Sequence, residues 1–223
     1  MSHSVLITGG SGYLGGTFLA RLDRNQLPEH KAIYALVRTK AQDEAVRQYG
    51  VEPLHLDLED ETAVRETLLD RGITIVFFLI DALKHDRQLT LIKALAHVKV
   101  KTGSDVHFLH TSGAKIFSEH AGMPTDRTIT DDDPDLYYLQ KDSKAPVMKA
   151  MDAARETNNI IIETAERHGV KSYIFVPCIV YGKGEGFGNP ISIQTVAVVQ
   201  AAKALRQVYD VNDETAVSKF RSS

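Results

Sequence analysis

Residues 4–15 read Ser-Val-Leu-Ile-Thr-Gly-Gly-Ser-Gly-Tyr-Leu-Gly, and no other stretch restricts the fold as much. An apolar run, Val5–Ile7, stops at Thr8. Gly9, Gly12 and Gly15 follow at three-residue intervals, and an amphipathic run begins at Tyr13 and Leu14. This is a buried strand, a glycine turn and a helix start. Gly9 lets the chain turn off the strand, Gly12 leaves room for a pyrophosphate beside the backbone, and Gly15 lets helix and strand approach. The free N–H groups and positive dipole end of the helix then face the phosphates. The context predicts a dinucleotide site built from Gly9, Ser11, Gly12, Tyr13, Leu14 and Gly15. The alternative is a tight turn with no ligand.

Downstream, strand and helix patterns alternate. Strand signals fall at Val5–Ile7, Ala32–Val37, Leu54–His55, Thr74–Ile80, Val106–His110 and Ser172–Val176. Helix signals fall at Tyr13–Arg24, Ala41–Tyr49, Glu61–Asp70, Arg87–Val100 and Pro146–His168. Such alternation implies parallel strands joined by right-handed crossovers. Strands apolar on both faces suit a sheet covered on both sides. The expected fold is a doubly wound parallel α/β sheet in the order 3-2-1-4-5-6. Gly50, Gly72 and Gly169 stand where helices should stop, and Pro146 where the longest should start. Helical spacing puts Val147, Met151, Ala154, Asn158, Ile161 or Ile162, and Ala165 on that helix's inward stripe. The long loop-like stretch Ser118–Asp133 is a candidate for function. Residues 1–190 are expected to form the dinucleotide-binding domain. Residues 191–223, one helix and a polar tail, are expected to be a reduced carboxyl-terminal substrate region.

The chain has 223 residues and a net charge of −3, so it offers one core and no basic footprint for nucleic acid. No apolar run is long enough to cross a bilayer; the longest, near Ile73–Ala82, is strand-sized. The single cysteine, Cys178, excludes an internal disulfide and fits a reducing compartment. A first strand at about Ser4 leaves no room for a leader, so the expected location is cytoplasmic. Cys178 itself reads as a buried, inert thiol.

Arg38 follows the second strand, where such sites meet the adenosine ribose. An acid there accepts hydrogen bonds from a free 2′-hydroxyl, whereas an arginine suits a 2′-phosphate. With Lys40 close by, the expected cofactor is NADP, with NAD the alternative. Asp57 and Leu58, after the third strand, are placed at the adenine edge; Asp57 is equally placed to cap the next helix.

The glycine segment Thr8–Gly15, Asp57-Leu58 and Pro177-Cys178-Ile179-Val180-Tyr181-Gly182 together resemble the extended short-chain dehydrogenase/reductase family, the NAD(P)-dependent epimerases, dehydratases and carbonyl reductases. The resemblance covers about residues 4–210. His107–Phe117 and the Gly-rich Tyr181–Asn189 also resemble a fungal-type branch of epimerase/dehydratase-like proteins. The resemblance implies a Tyr as general acid or base, a Lys that lowers its pKa and holds the nicotinamide ribose, and a Ser or Thr that orients the substrate oxygen. The cofactor carries the hydride. Tyr137 and Lys141 have the Tyr-x-x-x-Lys spacing, and Asp133-Pro134 reads as the cap and first turn of a helix through Lys141. Thr111 and Ser112, at the end of the fifth strand, are the hydroxyl candidates. Pro177, Ile179 and Val180 are expected to line the nicotinamide pocket. Two features depart from the family pattern. Gly113 stands where the serine is usual, and the usual Tyr and Lys places on the long helix fall near Ala150 and Ala154. Tyr137 and Lys141 are therefore a relocated pair or a coincidence.

Other chemistries find no support. His107 and His110 point to opposite faces of a strand, Asp131–Asp135 lacks calcium-loop spacing, and no Gly-x-Ser-x-Gly elbow exists. Two functions remain open. One is an NADP-dependent oxidoreductase acting on a small carbonyl or hydroxyl compound, with Tyr137, Lys141 and Ser112 as its catalytic set. The other is a non-catalytic NAD(P)-binding or redox-sensing module. The exposed side of the last helix offers a face for a homodimer.

Overall fold

The computed structural model describes residues 2–22, 29–124, 126–144, 149–208 and 220–221. Its main sheet is built from β1 (His3–Ile7), β2 (His30–Leu36), β3 (Glu52–Leu54), β4 (Ile73–Phe78), β5 (His107–Thr111) and β7 (Lys171–Phe175). All pairs are parallel, and the order is β3-β2-β1-β4-β5-β7. With β7 as the sixth strand, this is the expected 3-2-1-4-5-6 winding. The short β6 (Ile129–Thr130), outside this sheet, pairs with β8 (Phe220–Arg221).

The connecting helices are α1 (Tyr13–Ala20), α2 (Lys40–Arg47), α3 (Glu61–Asp70), α4 (Asp86–Thr102), α5 (Leu136–Lys141), α6 (Lys149–Arg167) and α7 (Ile193–Leu205). The Asp60 side chain caps α3 by accepting from the Thr62 and Ala63 N–H groups. Pro146 and Val147, expected in the long helix, and Arg24, expected in the first, lie outside the described residues. The cap expected at Asp133 is displaced. α5 opens two residues later, and Asp133 instead accepts the Asp135 N–H at 2.9 Å in a local turn.

Alternation along the strands divides the core. Val76, Phe78 and Phe108 point to one face, against Leu91 and Leu95 of α4 and Ile161 of α6. Ile7, Ile33 and Ala35 point to the other, against Leu19 of α1 and Val46 of α2. Phe78 and Phe108 are both almost wholly buried, with ring centroids 6.1 Å apart. Each contributes about 1.5–3 kcal/mol relative to an exposed ring.

The expectation of a sheet covered on both faces fails at one end. Tyr173 and Phe175 on β7 stay about half exposed, and α7 buries none of its residues. Residues 118–133 are not an open loop either. Met123 and Ile129 anchor them in a small second core with Ile116, Phe117 and Ala154.

Candidate functional site

The turn after β1 is held by several close contacts. Gly9 has φ +71°, a backbone conformation that side chains disfavour, and a Cβ there would stand 2.7 Å from the Leu79 carbonyl oxygen. The Thr8 hydroxyl accepts the Leu79 N–H at 3.0 Å, tying this turn to the end of β4. A Cβ on Gly15 would collide with the Gly9 carbonyl. Gly15 is thus the contact between α1 and the turn, as expected. Gly12 stands at the start of α1 with no side-chain cap, and α1 has no acidic residue in its first turn. Its opening N–H groups are those an anion can satisfy.

Beside the turn lies a cavity of about 370 Å3, lined by Gly9, Ser11, Gly12, Arg38, Asp57 and Leu58. Six residues expected at the site thus meet in one place. Leu36, Gln42, Leu56, Leu79, Ile80 and Arg87 complete the walls. None of these six was expected at the site from the sequence. Leu79 and Ile80 lie just beyond the carboxyl end of β4, an edge where such folds bind ligands, and that position was the available signal; Arg87 comes from the first turn of α4.

Arg38 and Lys40 are exposed at the end of β2. The Arg38 backbone N–H donates to Gln42 Oε1 at 2.8 Å, while among the described residues its guanidinium forms no ion pair. Asp57 does not cap α3, since Asp60 does. Asp57 Oδ1 instead accepts the Glu59 N–H at 3.0 Å, which shapes the bend that presents Leu58 to the cavity.

Tyr13, Leu14 and Gly15 do not line this cavity. The Tyr13 hydroxyl donates to the Tyr181 carbonyl at 2.8 Å. It thereby ties the glycine turn to the segment after β7. The Gly-rich stretch that follows packs directly on α1: the Asn189 N–H donates to the Ser11 carbonyl at 2.9 Å, and Gly186 lies backbone to backbone against Gly16.

Pro177, Ile179 and Val180 follow β7, outside the cavity as well. The Pro177 carbonyl accepts the Ala114 N–H at 2.9 Å, Val180 accepts the Ser192 hydroxyl, and Ile179 is largely exposed. Cys178 is exposed, not buried as expected, in a segment that is neither strand nor helix.

Thr111 and Ser112 end β5 at the carboxyl edge of the sheet. The Ser112 N–H donates to the Phe175 carbonyl, and both hydroxyl oxygens are buried without a hydrogen-bond partner among the described residues. Beneath them His110 is fully buried against Phe78. Burial pushes its imidazole pKa down to about 4, with only the Asp81 charge opposing. His107 points the other way and stacks on Tyr173. Asn158 is buried as expected and donates to Gln140 Oε1 at 3.1 Å.

Tyr137 and Lys141 meet, with Nζ 3.2 Å from the tyrosine hydroxyl, but Glu163 holds both. Tyr137 donates to Glu163 Oε1 at 2.6 Å, and Lys141 to the same oxygen at 2.9 Å. Glu163 lies in the second half of α6, which runs opposite to β5 and β7 and ends just before β7 begins. The pair therefore sits toward the amino-terminal edge of the sheet, whereas Ser112 is at the carboxyl edge. Burial and the Glu163 carboxylate raise the Tyr137 pKa against the lowering effect of Lys141. An acid/base tyrosine needs the opposite shift. The spacing is met, but the structure does not bring this pair to Ser112. Of the usual family positions, Ala150 is exposed and Ala154 is buried in the second core.

Among the described residues no helix is long and apolar enough to cross a membrane, and no group of three potential ligands could hold a metal ion.

Similar folds are known. UDP-glucose 4-epimerase from Thermotoga maritima, solved with UDP-glucose, is 16% identical over 98% of this chain and 69% of its own, with a TM-score of 0.61. Vestitone reductase from alfalfa is 17% identical over 87% and 63%, with a TM-score of 0.56. The leucoanthocyanidin reductase–NADPH complex from Vitis vinifera is 21% identical over 78% of this chain, with a TM-score of 0.48. The chain spans about half the length of that reductase, matching 47% of it. No curated protein matches the chain. The likenesses to the epimerase and to vestitone reductase agree with the winding of the sheet, and a family model matches residues 5–217, most of the chain. By that match, the chain belongs to the NAD dependent epimerase/dehydratase family.

Proposed function

We propose that the chain binds NADP, with NAD as the weaker alternative, and acts as an oxidoreductase on a small carbonyl or hydroxyl compound. Residues 1–190 form the dinucleotide-binding unit in this reading, and residues 191–223 belong to the substrate side. The observation that carries it is the cavity joining the glycine turn to Arg38. The uncapped start of α1 takes the pyrophosphate, and the Arg38 guanidinium, which has no ion pair among the described residues, takes the 2′-phosphate. The bound nicotinamide supplies the hydride. Ser112, at the carboxyl edge, orients the substrate oxygen.

Calorimetric titration with NADP and NAD tests the binding. NADP should bind at least tenfold more tightly. In Arg38→Ala the NADP affinity should fall about 10- to 100-fold, the range of one charge-assisted phosphate contact, with NAD little changed. Equal affinity for both cofactors in the wild type overturns the NADP assignment.

A specific observation favours a second reading, a non-catalytic dinucleotide-binding module. The one Tyr-x-x-x-Lys pair is bound to Glu163 and lies away from Ser112. A carbonyl-substrate screen with NADPH separates the two, since the module turns over nothing. If turnover is found, Tyr137→Phe should leave it within about twofold of wild type. A loss above tenfold would return Tyr137 and Lys141 to the mechanism.

A further inference from the structure

Arg87 and Arg38 line the same cavity but differ in electrical state. Arg38 has no ion-pair partner among the described residues, so its charge is available to a phosphate. Arg87 Nη2 donates to Glu59 Oε1 at 2.8 Å, and this bond raises the Arg87 pKa. The Asp57 and Asp81 carboxylates add to the negative field around it. Arg87 therefore has little unbalanced charge to offer an anion. Its guanidinium plane remains, and a planar cation held in place stacks well on an aromatic ring.

The neighbouring walls suit such a ring. Leu36, Leu56, Leu58 and Ile80 are apolar; Leu36 ends β2, and the others lie past the ends of β3 and β4. With the pyrophosphate at the glycine turn and the ribose beside Arg38, the base is the part left to fill this apolar end. The local fold keeps Arg87 there. The Asp57 carboxylate accepts the Glu59 N–H, so the bend that presents Leu58 also sets the backbone of the residue that grips Arg87.

We propose that Arg87, held by Glu59, stacks on the adenine ring, while Arg38 reads the 2′-phosphate. The assignment rests on the dinucleotide reading above. It makes Arg87 a determinant of adenine binding that is blind to the phosphate.

Calorimetry with NADP, NAD, 5′-AMP and nicotinamide mononucleotide tests it on wild type, Arg87→Ala, Arg87→Lys and Glu59→Gln, with thermal melts to confirm folding. Arg87→Ala should weaken NADP, NAD and 5′-AMP by one common factor, about fivefold. Nicotinamide mononucleotide, which has no adenine, should not change. Arg87→Lys keeps the charge and loses the plane, so it should resemble Arg87→Ala. Glu59→Gln frees the guanidinium charge and should raise the preference for NADP over NAD, an effect lost at high salt. A loss in Arg87→Ala confined to NADP, or full rescue by Arg87→Lys, makes Arg87 a phosphate ligand and overturns the stacking role. Unchanged 5′-AMP affinity in Arg87→Ala overturns it too. Failure of the wild type to bind either dinucleotide overturns the underlying reading instead, so the two failures are distinct.

Discussion

Gly15→Ala should abolish dinucleotide binding and destabilise the chain by about 3 kcal/mol, the upper part of the range for overpacking a tight interior. The added methyl would run into the Gly9 carbonyl, and Gly9 cannot retreat. It already holds φ +71° and faces the Leu79 carbonyl, with Thr8 bonded to the Leu79 N–H behind it. α1 must therefore lift away, straining the Gly12 N–H bond to the Gly9 carbonyl at 2.8 Å. For a chain of this size the loss corresponds to a fall in Tm of roughly 6–12 °C. Gly12→Ala makes the contrast. Its Cβ would meet nothing closer than the Gly9 oxygen at 3.1 Å, so the fold should tolerate it within about 1 kcal/mol. Binding should still be lost, because the methyl occupies the approach of the pyrophosphate. Thermal melts beside NADP titrations separate the two variants. A Gly15→Ala protein with wild-type Tm would remove the packing argument.

Acid should destabilise the chain through His110. Its imidazole is fully buried, and burial lowers its pKa from the ordinary 6.5 to about 4. As pH falls below 6.5 the unfolded chain takes up this proton first, which draws the equilibrium toward unfolding. The loss grows until pH reaches about 4, where the folded form is protonated as well. It totals roughly 3 kcal/mol, at about 1.4 kcal/mol per pH unit. That is a large part of the 5–15 kcal/mol typical of a folded domain. Urea unfolding of wild type and His110→Asn at pH 7.5 and 4.5 provides the measurement. The variant should lose about 2–3 kcal/mol less than wild type across the interval. Carboxylates held low by hydrogen bonds, such as Glu163 and Glu185, also weaken in acid, but they are common to both proteins and cancel in the difference. Equal losses would show that His110 is not the acid-sensitive group.

Much of this architecture can be read from local pattern. The turn from Gly9 to Gly15, the alternation of strands with helices and the end of β2 at Arg38 all express short-range rules. Periodicity, a required positive φ and charge at a fixed offset from a strand are visible in a few consecutive residues. The cavity then gathered Gly9, Ser11, Gly12, Arg38, Asp57 and Leu58 because the winding order brings the ends of β1, β2 and β3 to one edge.

Longer-range partners were not legible. Tyr137 and Lys141 satisfy a spacing, yet spacing says nothing about Glu163, more than twenty residues on, which takes both side chains. Cys178 lies in an apolar-looking stretch, but burial depends on what packs above it, and in the fold the thiol stays exposed. Arg87 reads as an ordinary helix-start arginine until the fold brings it to the cavity that Arg38 also lines. The sequence alone determined the winding of the sheet and the glycine turn, since both follow from backbone sterics and hydrophobic period. Only the tertiary structure decided which charges are matched and which are free, because that depends on groups brought together from distant parts of the chain.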